Sequence, residues 1–306
     1  MMDLHSLIYF KKVAELQHLT RAAEELRVAQ PSLSRTIAGL EAELGVKLFD
    51  RVGKGIVLNR NGAILLRRTN NVLRELADAR AELADQEAEG NRTVTVSLFA
   101  ASKLLPQLIS SFKEEYPHIR LQIVQHDLQN QGEGERDIAI FSSMQPAAGE
   151  NERVLIEEEL LLALPEDSPL ASRRELPLSD AADQEFICLH KGKSLRTITD
   201  LYCQMAGFSP KVVLECDSPE TVRELICAGM GISFVPSITW RGMDTRNIVL
   251  CRLSSPDCKR YINLSWRKKG YLSPAVVLFR DFVQDYFAVL KAEADELFPG
   301  SVPEDR

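Results

Sequence analysis

At 306 residues, 45% hydrophobic and 26% charged, the chain has the make-up of a folded protein with more than one domain, and neither a disordered nor a fibrous class fits it. It holds no apolar run of about 18 residues, and Met1 to His5 lack the basic start of a secretory signal, so a cytoplasmic protein with no membrane partner is expected. The net charge of −7 argues against nucleic acid for the whole chain, yet residues 1–62 carry nine Lys/Arg against seven Asp/Glu and leave −9 for the rest, a split that suits one DNA-facing module on an acidic body.

From Leu4 to about Gly62 the pattern is one of short amphipathic helices. Thr20 is the expected N-cap of a helix over residues 21–26, Val28 and Ala29 make a tight connection, and a second helix starts near Pro31, whose missing N–H has no helical partner at that position. Leu33, Ile37, Leu40 and Leu44 recur at steps of four, three and four, which commits one face to a core. Gln30, Pro31, Ser32, Ser34 and Arg35 then face outward at the amino end. Arg can take guanine O6/N7, Gln can pair with adenine, and hydroxyls hold phosphate, so this end has the chemistry of major-groove reading. Gly45 is the expected helix stop. Leu48 and Phe49 should anchor a hairpin after it, Gly53 and Gly55 permit its turn, and its tip would carry Arg51 and Lys54 as a basic wing for phosphate or minor-groove contact. The expected DNA-binding set is Thr20, Gln30, Pro31, Ser32, Ser34, Arg35, Arg51 and Lys54. The plain alternative is a solvated turn in an unrelated helical domain.

Residues 63–89 read as one helix without Pro or internal Gly. Leu65, Thr69, Val72, Leu76, Ala79, Leu83 and Gln86 alternate by four and three, the spacing of a coiled-coil seam, and Gly90 breaks the pattern. A lone apolar stripe needs a partner, so Leu65, Val72, Leu76 and Leu83 are the expected homodimer contacts. The alternative is a helix packed on its own domain.

The runs Tyr9-Phe10-Lys11-Lys12-Val13-Ala14, Leu19-Thr20-Arg21-Ala22-Ala23-Glu24-Glu25-Leu26, Ala29-Gln30-Pro31-Ser32-Leu33-Ser34-Arg35-Thr36-Ile37 and Leu44-Gly45-Val46-Lys47-Leu48-Phe49-Asp50-Arg51 together resemble the DNA-binding domain of LysR-type transcriptional regulators nearly position for position. One departure stands out: Leu58-Asn59 occupies the place where the family usually has Leu-Thr. Asn caps a helix about as well as Thr, so only a local effect is expected.

Beyond residue 92 strands and helices alternate, the pattern of an α/β sheet domain. Strands are expected at Val94 to Leu98, at 119–124, 137–141 and 159–164, with a helix through Leu104, Leu105, Leu108, Ile109 and Phe112. A second group follows, with strands at 186–189, 211–216 and 231–235, helices at 194–206 and 219–228, strands at 248–252 and 261–268, and a last helix at 274–297. The stretches Asp137-Ile138-Ala139-Ile140, Arg196 followed by Ala206-Gly207-Phe208, and Ala228-Gly229-Met230-Gly231-Ile232-Ser233-Phe234-Val235-Pro236 extend the LysR resemblance to essentially the whole chain. It implies an α/β protein with an N-terminal all-α winged helix-turn-helix over 1–62, a linker helix over 63–90 and an effector domain over 91–306 like a type 2 periplasmic binding protein. Lobe I would span about 91–164 and 269–306, and lobe II about 165–268. It further implies a homotetramer on a pseudo-palindromic operator, with RNA polymerase among the expected partners, whereas the seam alone argues only for a dimer.

Ser102 with Lys103, Ser194 with Arg196, and Ser218 with Thr221 each place a hydroxyl at a helix start, where free N–H groups favour an anion. Such starts line the ligand crevice of open α/β folds, so a small effector, a carboxylate or similar anion, is expected between the lobes. Each serine reads equally well as a plain cap, and Lys103 and Arg196 as solvated charges. The segment 126–135 is short and Gly-rich against the family pattern, which would open one wall of the cleft.

The six cysteines lie between Cys188 and Cys258 without a C-x-x-C or a His at ligand spacing, so reduced, buried thiols and no metal or cofactor are expected. The peroxide-sensing branch of the family carries its reactive Cys in the stretch matching Lys193-Ser194-Leu195-Arg196 and a second nine residues on. Here these places hold Ser194 and Cys203, which leaves a thiol redox sensor as the alternative without its attacking group. An enzyme is not expected: G-x-S-x-G, a phosphate loop and a His clustered with acids are all missing.

Overall fold

The computed structural model describes residues 2–52, 55–86, 93–125, 136–242, 246–268 and 270–297. The chain divides into two compact units, Met1–Gly90 and Asn91–Arg306. The first holds α1 (Leu4–Leu16), α2 (Leu19–Leu26), α3 (Gln30–Leu44), a hairpin of β1 (Phe49–Val52) and β2 (Gly55–Leu58), and α4 (Arg60–Gln86). Phe10, Val13, Ala22, Ala23, Leu33, Leu40 and Leu48 form its core, the two alanines letting α2 lie close to its neighbours.

Helix boundaries follow local chemistry. Asp3 and Ser6 form a reciprocal capping box at α1, Ser6 N donating to Asp3 Oδ1 at 2.8 Å and Asp3 N to Ser6 Oγ at 3.0 Å. Thr20 is not the cap of α2. The helix opens at Leu19, and His18 Nδ1 accepts the Arg21 N–H at 3.3 Å, the imidazole doing what the hydroxyl was expected to do. Gly45 does end α3, at φ 68° with its N–H on Glu41 O. Leu44, expected in the core, is 37% exposed. Glu41 occupies the adjoining buried place because its carboxylate accepts the Leu48 N–H at 2.9 Å and the Lys47 ammonium, tying the chain after α3 back beneath the helix. Burial works against its charge, but Lys47 and the Leu48 amide outweigh that and hold the Glu41 carboxyl below the usual carboxylate range.

In the hairpin Val52 pairs with Gly55 and Arg51 with Ile56, so Arg51 sits on the strand rather than at the tip. Lys54 and Gly53 lie outside the described residues. Asn59 caps α4 as expected, its Oδ1 accepting from Gly62 N at 3.0 Å, and its Nδ2 also donates to Lys47 O at 3.0 Å. Gly62 is required there: a Cβ would stand 2.2 Å from Leu48 O. Along α4, Leu65 packs on the core of its own unit and Thr69 is buried, which corrects the first part of the expected seam, while Val72, Leu76 and Leu83 are 46%, 43% and 64% exposed.

The second unit comprises β3 (Thr93–Leu98), α5 (Leu105–Glu115), β4 (Arg120–Gln125), β5 (Ile138–Ser143), β6 (Glu152–Pro165), β7 (Glu175–Leu176), β8 (Glu185–Leu189), α6 (Ser194–Met205), β9 (Lys211–Cys216), α7 (Pro219–Cys227), β10 (Ser233–Pro236), β11 (Ile248–Leu253), β12 (Lys259–Trp266) and α8 (Pro274–Leu297). The main sheet runs β4-β3-β5-β12-β6-β11-β7, with β10 also on β6, and β8 and β9 pair in parallel. Two cores form. In lobe I α5 and α8 cover the sheet, with Phe112 edge-on to Phe279 at 4.8 Å. In lobe II Phe186, Ile198, Val222 and Phe234 pack around the β8-β9 pair, α6 and α7.

The lobe borders fall elsewhere than expected. β6 is 14 residues long. Its Leu155 and Ile156 belong to the lobe I core and its Leu160, Leu162, Ala163 and Leu164 to the lobe II core, whereas Ile262 and Leu264 of β12 return to lobe I. The crossovers therefore lie near 157–159 and 259–261, not at 164 and 268. The front half of β6 is hard to see in the sequence because Glu157, Glu158 and Glu159 hide its alternation. The segment 126–135 lies outside the described residues.

Candidate functional site

Two surfaces carry the expected chemistry. On the first, Gln30, Pro31, Ser32 and Arg35 are exposed at the amino end of α3, and Ser34 is half-buried. Ala29 supplies no side-chain cap, Pro31 has no N–H and the Ser32 N–H turns back to Ala29 O at 2.9 Å, so the chemistry of this end is carried mainly by its side chains. The opposite face of α3 is held by Leu33, Ile37 and Leu40, at most 7% exposed, which fixes the helix while its polar end points to solvent. Thr20 and Arg51 are exposed as well.

The second surface is a cavity of about 80 Å³ where the lobes meet. Leu98, Phe99 and Ser102 bound it from lobe I, Leu189, Lys193, Ser194, Leu195 and Asp217 from lobe II, and Trp240 and Arg260 line it as well. Two of the six expected effector residues, Ser102 and Ser194, line it. The Ser194 hydroxyl is already engaged across the lobes, donating to Phe99 O at 3.1 Å and accepting from Ser142 Oγ at 2.8 Å.

The other four are placed differently. Lys103 turns its ammonium to Trp240 O and Arg241 O, at 3.3 and 3.2 Å, and burial pushes that ammonium below the ordinary lysine value. Arg196 is 6% exposed and bound by Glu215 at 2.6 Å and Asp200 at 2.9 Å, so it stitches α6 to β9 instead of facing a ligand. Its guanidinium holds the Glu215 carboxyl below the usual range. Ser218 is simply the cap of α7, accepting from Thr221 N at 3.2 Å, and Thr221 is exposed away from the cavity lining.

Arg260 and its network were not anticipated from the sequence. Glu158 and Arg260, both 2% exposed, form an ion pair of 2.8 Å between β6 and β12. Glu158 Oε2 also accepts the N–H groups of Ile238 and Thr239 at 2.9 and 2.7 Å, while Thr239 Oγ1 donates to Glu158 Oε1 and accepts from Arg260 Nη2 at 2.7 Å. A signal existed. Ile156, Leu160, Leu162 and Leu164 share the parity of Glu158, and Cys258, Ile262 and Leu264 that of Arg260, so a charge sits at an inward position of each strand.

All six cysteines are free. Burial pushes the thiols of Cys188, Cys203 and Cys258 up to about 12, far from the thiolate that oxidation requires. Among the described residues no group of three or more His, Cys, Asp or Glu is placed to hold a metal ion, and no helix is long and apolar enough to cross a membrane. In a thiol titration of the native protein with a disulfide reagent, Cys227, the half-buried one, should be the single fast-reacting group, and the others should appear only on unfolding. Rapid labelling of Cys203 in the folded protein would contradict the burial argument.

A winged helix-turn-helix joined by a helix to a two-lobed α/β domain with a cleft defines a DNA-binding regulator with a ligand-binding module. The comparisons agree. Residues 4–63 match the model of the bacterial regulatory helix-turn-helix proteins of the lysR family, and residues 85–288 that of the LysR substrate binding domain. The chain belongs to the LysR family of transcriptional regulators. It is 36% identical over 293 residues to the uncharacterized HTH-type transcriptional regulator YybE of Bacillus subtilis, covering 94% of this chain and 100% of that one. It is 31% identical to the transcriptional dual regulator GltC of the same organism (95% and 99% covered) and 30% identical to the transcriptional dual regulator OxyR of Escherichia coli (87% and 90%). Among solved structures, a full-length OxyR variant of Pseudomonas aeruginosa superimposes with a TM-score of 0.63 at 23% identity, covering 100% of this chain and 99% of that one. CbnR in complex with its target DNA gives 0.62 at 22%, covering 94% and 100%. The fold is thus that of full-length LysR regulators, and these curated relatives are regulators of transcription, not enzymes.

Proposed function

We propose that this LysR regulator reads its operator with Gln30, Ser32, Ser34 and Arg35 at the amino end of α3, holds phosphates with Arg51 and Lys54, and is switched by a small effector in the interlobe cleft. The observation that carries this reading is the polar, uncapped end of α3 presented to solvent by a helix whose other face is buried. A groove-inserted helix end meets base edges, while a strand beside it meets the backbone. Val72, Leu76 and Leu83 on α4 leave an apolar stripe for a second copy, which would set the spacing of paired heads on a pseudo-palindromic site in the cytoplasm. The effector acts by population shift, favouring one lobe geometry over another.

The division of labour predicts different losses. Arg35→Ala should cost about 1–3 kcal/mol on the preferred site and relax sequence preference, whereas Arg51→Ala should weaken all DNA nearly uniformly and lower the salt slope by about one. Fluorescence anisotropy on specific and scrambled duplexes at several salt concentrations measures both. Equal losses on every sequence for both variants would sink the assignment. The cleft is tested separately by Ser102→Trp, which fills the cavity and should abolish the response of DNA binding to added metabolites while leaving unliganded affinity intact.

Several relatives are named hydrogen peroxide-inducible genes activators at about 30% identity, which keeps a redox reading in view. Ser194 at the position where that branch carries its reactive Cys, together with the buried, protonated thiols, favours a bound effector instead.

A further inference from the structure

We infer that Glu41 is a positioning residue for DNA binding: by accepting the Leu48 N–H it fixes the hairpin, and Arg51 with it, against the end of α3 that reads bases. What Arg51 gains from this rests on its proposed phosphate contact. Glu41 sits on the same helix as Arg35, about 9 Å further along the axis at roughly 1.5 Å per residue. Its carbonyl accepts the Gly45 and Val46 N–H groups where α3 ends, and its carboxylate accepts from Leu48 N at 2.9 Å and from the Lys47 ammonium. The amide is the anchor of the two. The Lys47 side chain is 75% exposed, so its ion pair contributes little, whereas Leu48 is 1% exposed and a buried N–H left without an acceptor is costly.

The start of α4 holds the same two residues from the other side. Asn59 N donates to Leu48 O at 3.0 Å, and the Nδ2 groups of Asn59 and Asn61 both donate to Lys47 O, at 3.0 and 3.3 Å. Lys47 and Leu48 are thus a node where α3, the hairpin and α4 meet, and the Glu41 carboxylate ties that node to α3.

The hairpin does not keep its angle unaided. Its strands are four residues each, and a two-stranded ribbon is marginal without support. Phe49 lies edge-on to Phe10 at 5.7 Å, and Ile56 and Leu58 pack on the core, which steadies one face, while Leu48 sets the root. Arg51 is about 10 Å beyond that root at roughly 3.3 Å per residue. A tilt of about 10° would carry it roughly 2 Å, enough to break a charged hydrogen bond of about 2.8 Å.

Salt-dependent anisotropy on a duplex selected from a random pool by the wild-type protein tests this in the full-length chain. Met matches Glu in length but offers no acceptor, so Glu41→Met should lose about 10-fold in affinity, the worth of one charged hydrogen bond, and lower the salt slope by about one. Glu41→Gln keeps the acceptor without the charge and should recover most of that loss. Adding Arg51→Ala to Glu41→Met should cost nothing more, since Arg51 is already misplaced. A Glu41 that only stabilised the fold would give losses that add; additive losses, or a Gln variant as weak as the Met one, overturn the inference. A nitroxide on Val57→Cys in β2, a position 42% exposed, reads the hairpin without DNA once Cys227→Ser leaves only buried native thiols. Its spectrum should sharpen with Glu41→Met and not with Glu41→Gln, and an unchanged spectrum with Glu41→Met also overturns the inference. If Arg51→Ala alone changed neither affinity nor slope, the phosphate role of Arg51 would fail, and the nitroxide would still decide the role of Glu41. Should Glu41→Met not fold by circular dichroism, Glu41→Asp, one methylene short of Leu48, takes its place in both measurements.

Discussion

Glu158→Gln alone should destabilise the C-terminal unit by about 3–5 kcal/mol, and adding Arg260→Met should recover much of that loss. The single change leaves a guanidinium 2% exposed with no counter-charge. The double change removes both charges, and the Gln amide oxygen can still accept from the Ile238 and Thr239 N–H groups that Glu158 serves now. Urea unfolding followed by tryptophan emission reports on this unit, since Trp240 and Trp266 both lie in it. If the double variant were as unstable as the single one, the pair would matter through packing and not through charge.

One chemical change should have opposite signs at two helical glycines. Gly39 is exposed in α3, and a Cβ added there would meet nothing within 4 Å, so Gly39→Ala should stabilise by about 1 kcal/mol through helix propensity alone. At Gly62 the same methyl would stand 2.2 Å from the Leu48 carbonyl oxygen, an atom that already accepts the Asn59 N–H at 3.0 Å. Forcing these apart should cost about 1–3 kcal/mol net and loosen the joint between the hairpin and α4, weakening DNA binding as well. Calorimetry of both variants checks the signs, and a higher melting temperature for Gly62→Ala would mean the carbonyl yields easily.

Much of this architecture was readable from periodicity. The helix at 274–297 and the strand at 211–216 lie where their patterns put them, because long apolar repeats and β-branched runs leave few alternatives. The amino end of α3 was legible for the same reason: a core face at steps of four and three determines what must face out. The cleft was less so. A hydroxyl at a helix start is consistent with either a ligand or a cap, and only the packed structure shows Ser194 bridging lobes while Ser218 merely caps α7. Arg196 looked available, and its capture by Glu215 depends on a pairing 19 residues away that spacing does not reveal. Arg260 and Glu158 could have been suspected from parity, but their meeting is a long-range property of strand register.

The 14-residue β6 has a mechanical consequence. Because one unbroken strand threads both cores and stays hydrogen-bonded to β12 where it passes between them, the lobes cannot swing like bodies on a slack tether. Their relative motion is then a torsion of the β6-β12 ribbon near 157–159 and 259–261. Such a joint stores elastic energy, permits small angles, and returns promptly when the load is removed, which suits a sensor that must pass on a few degrees of rotation and then reset.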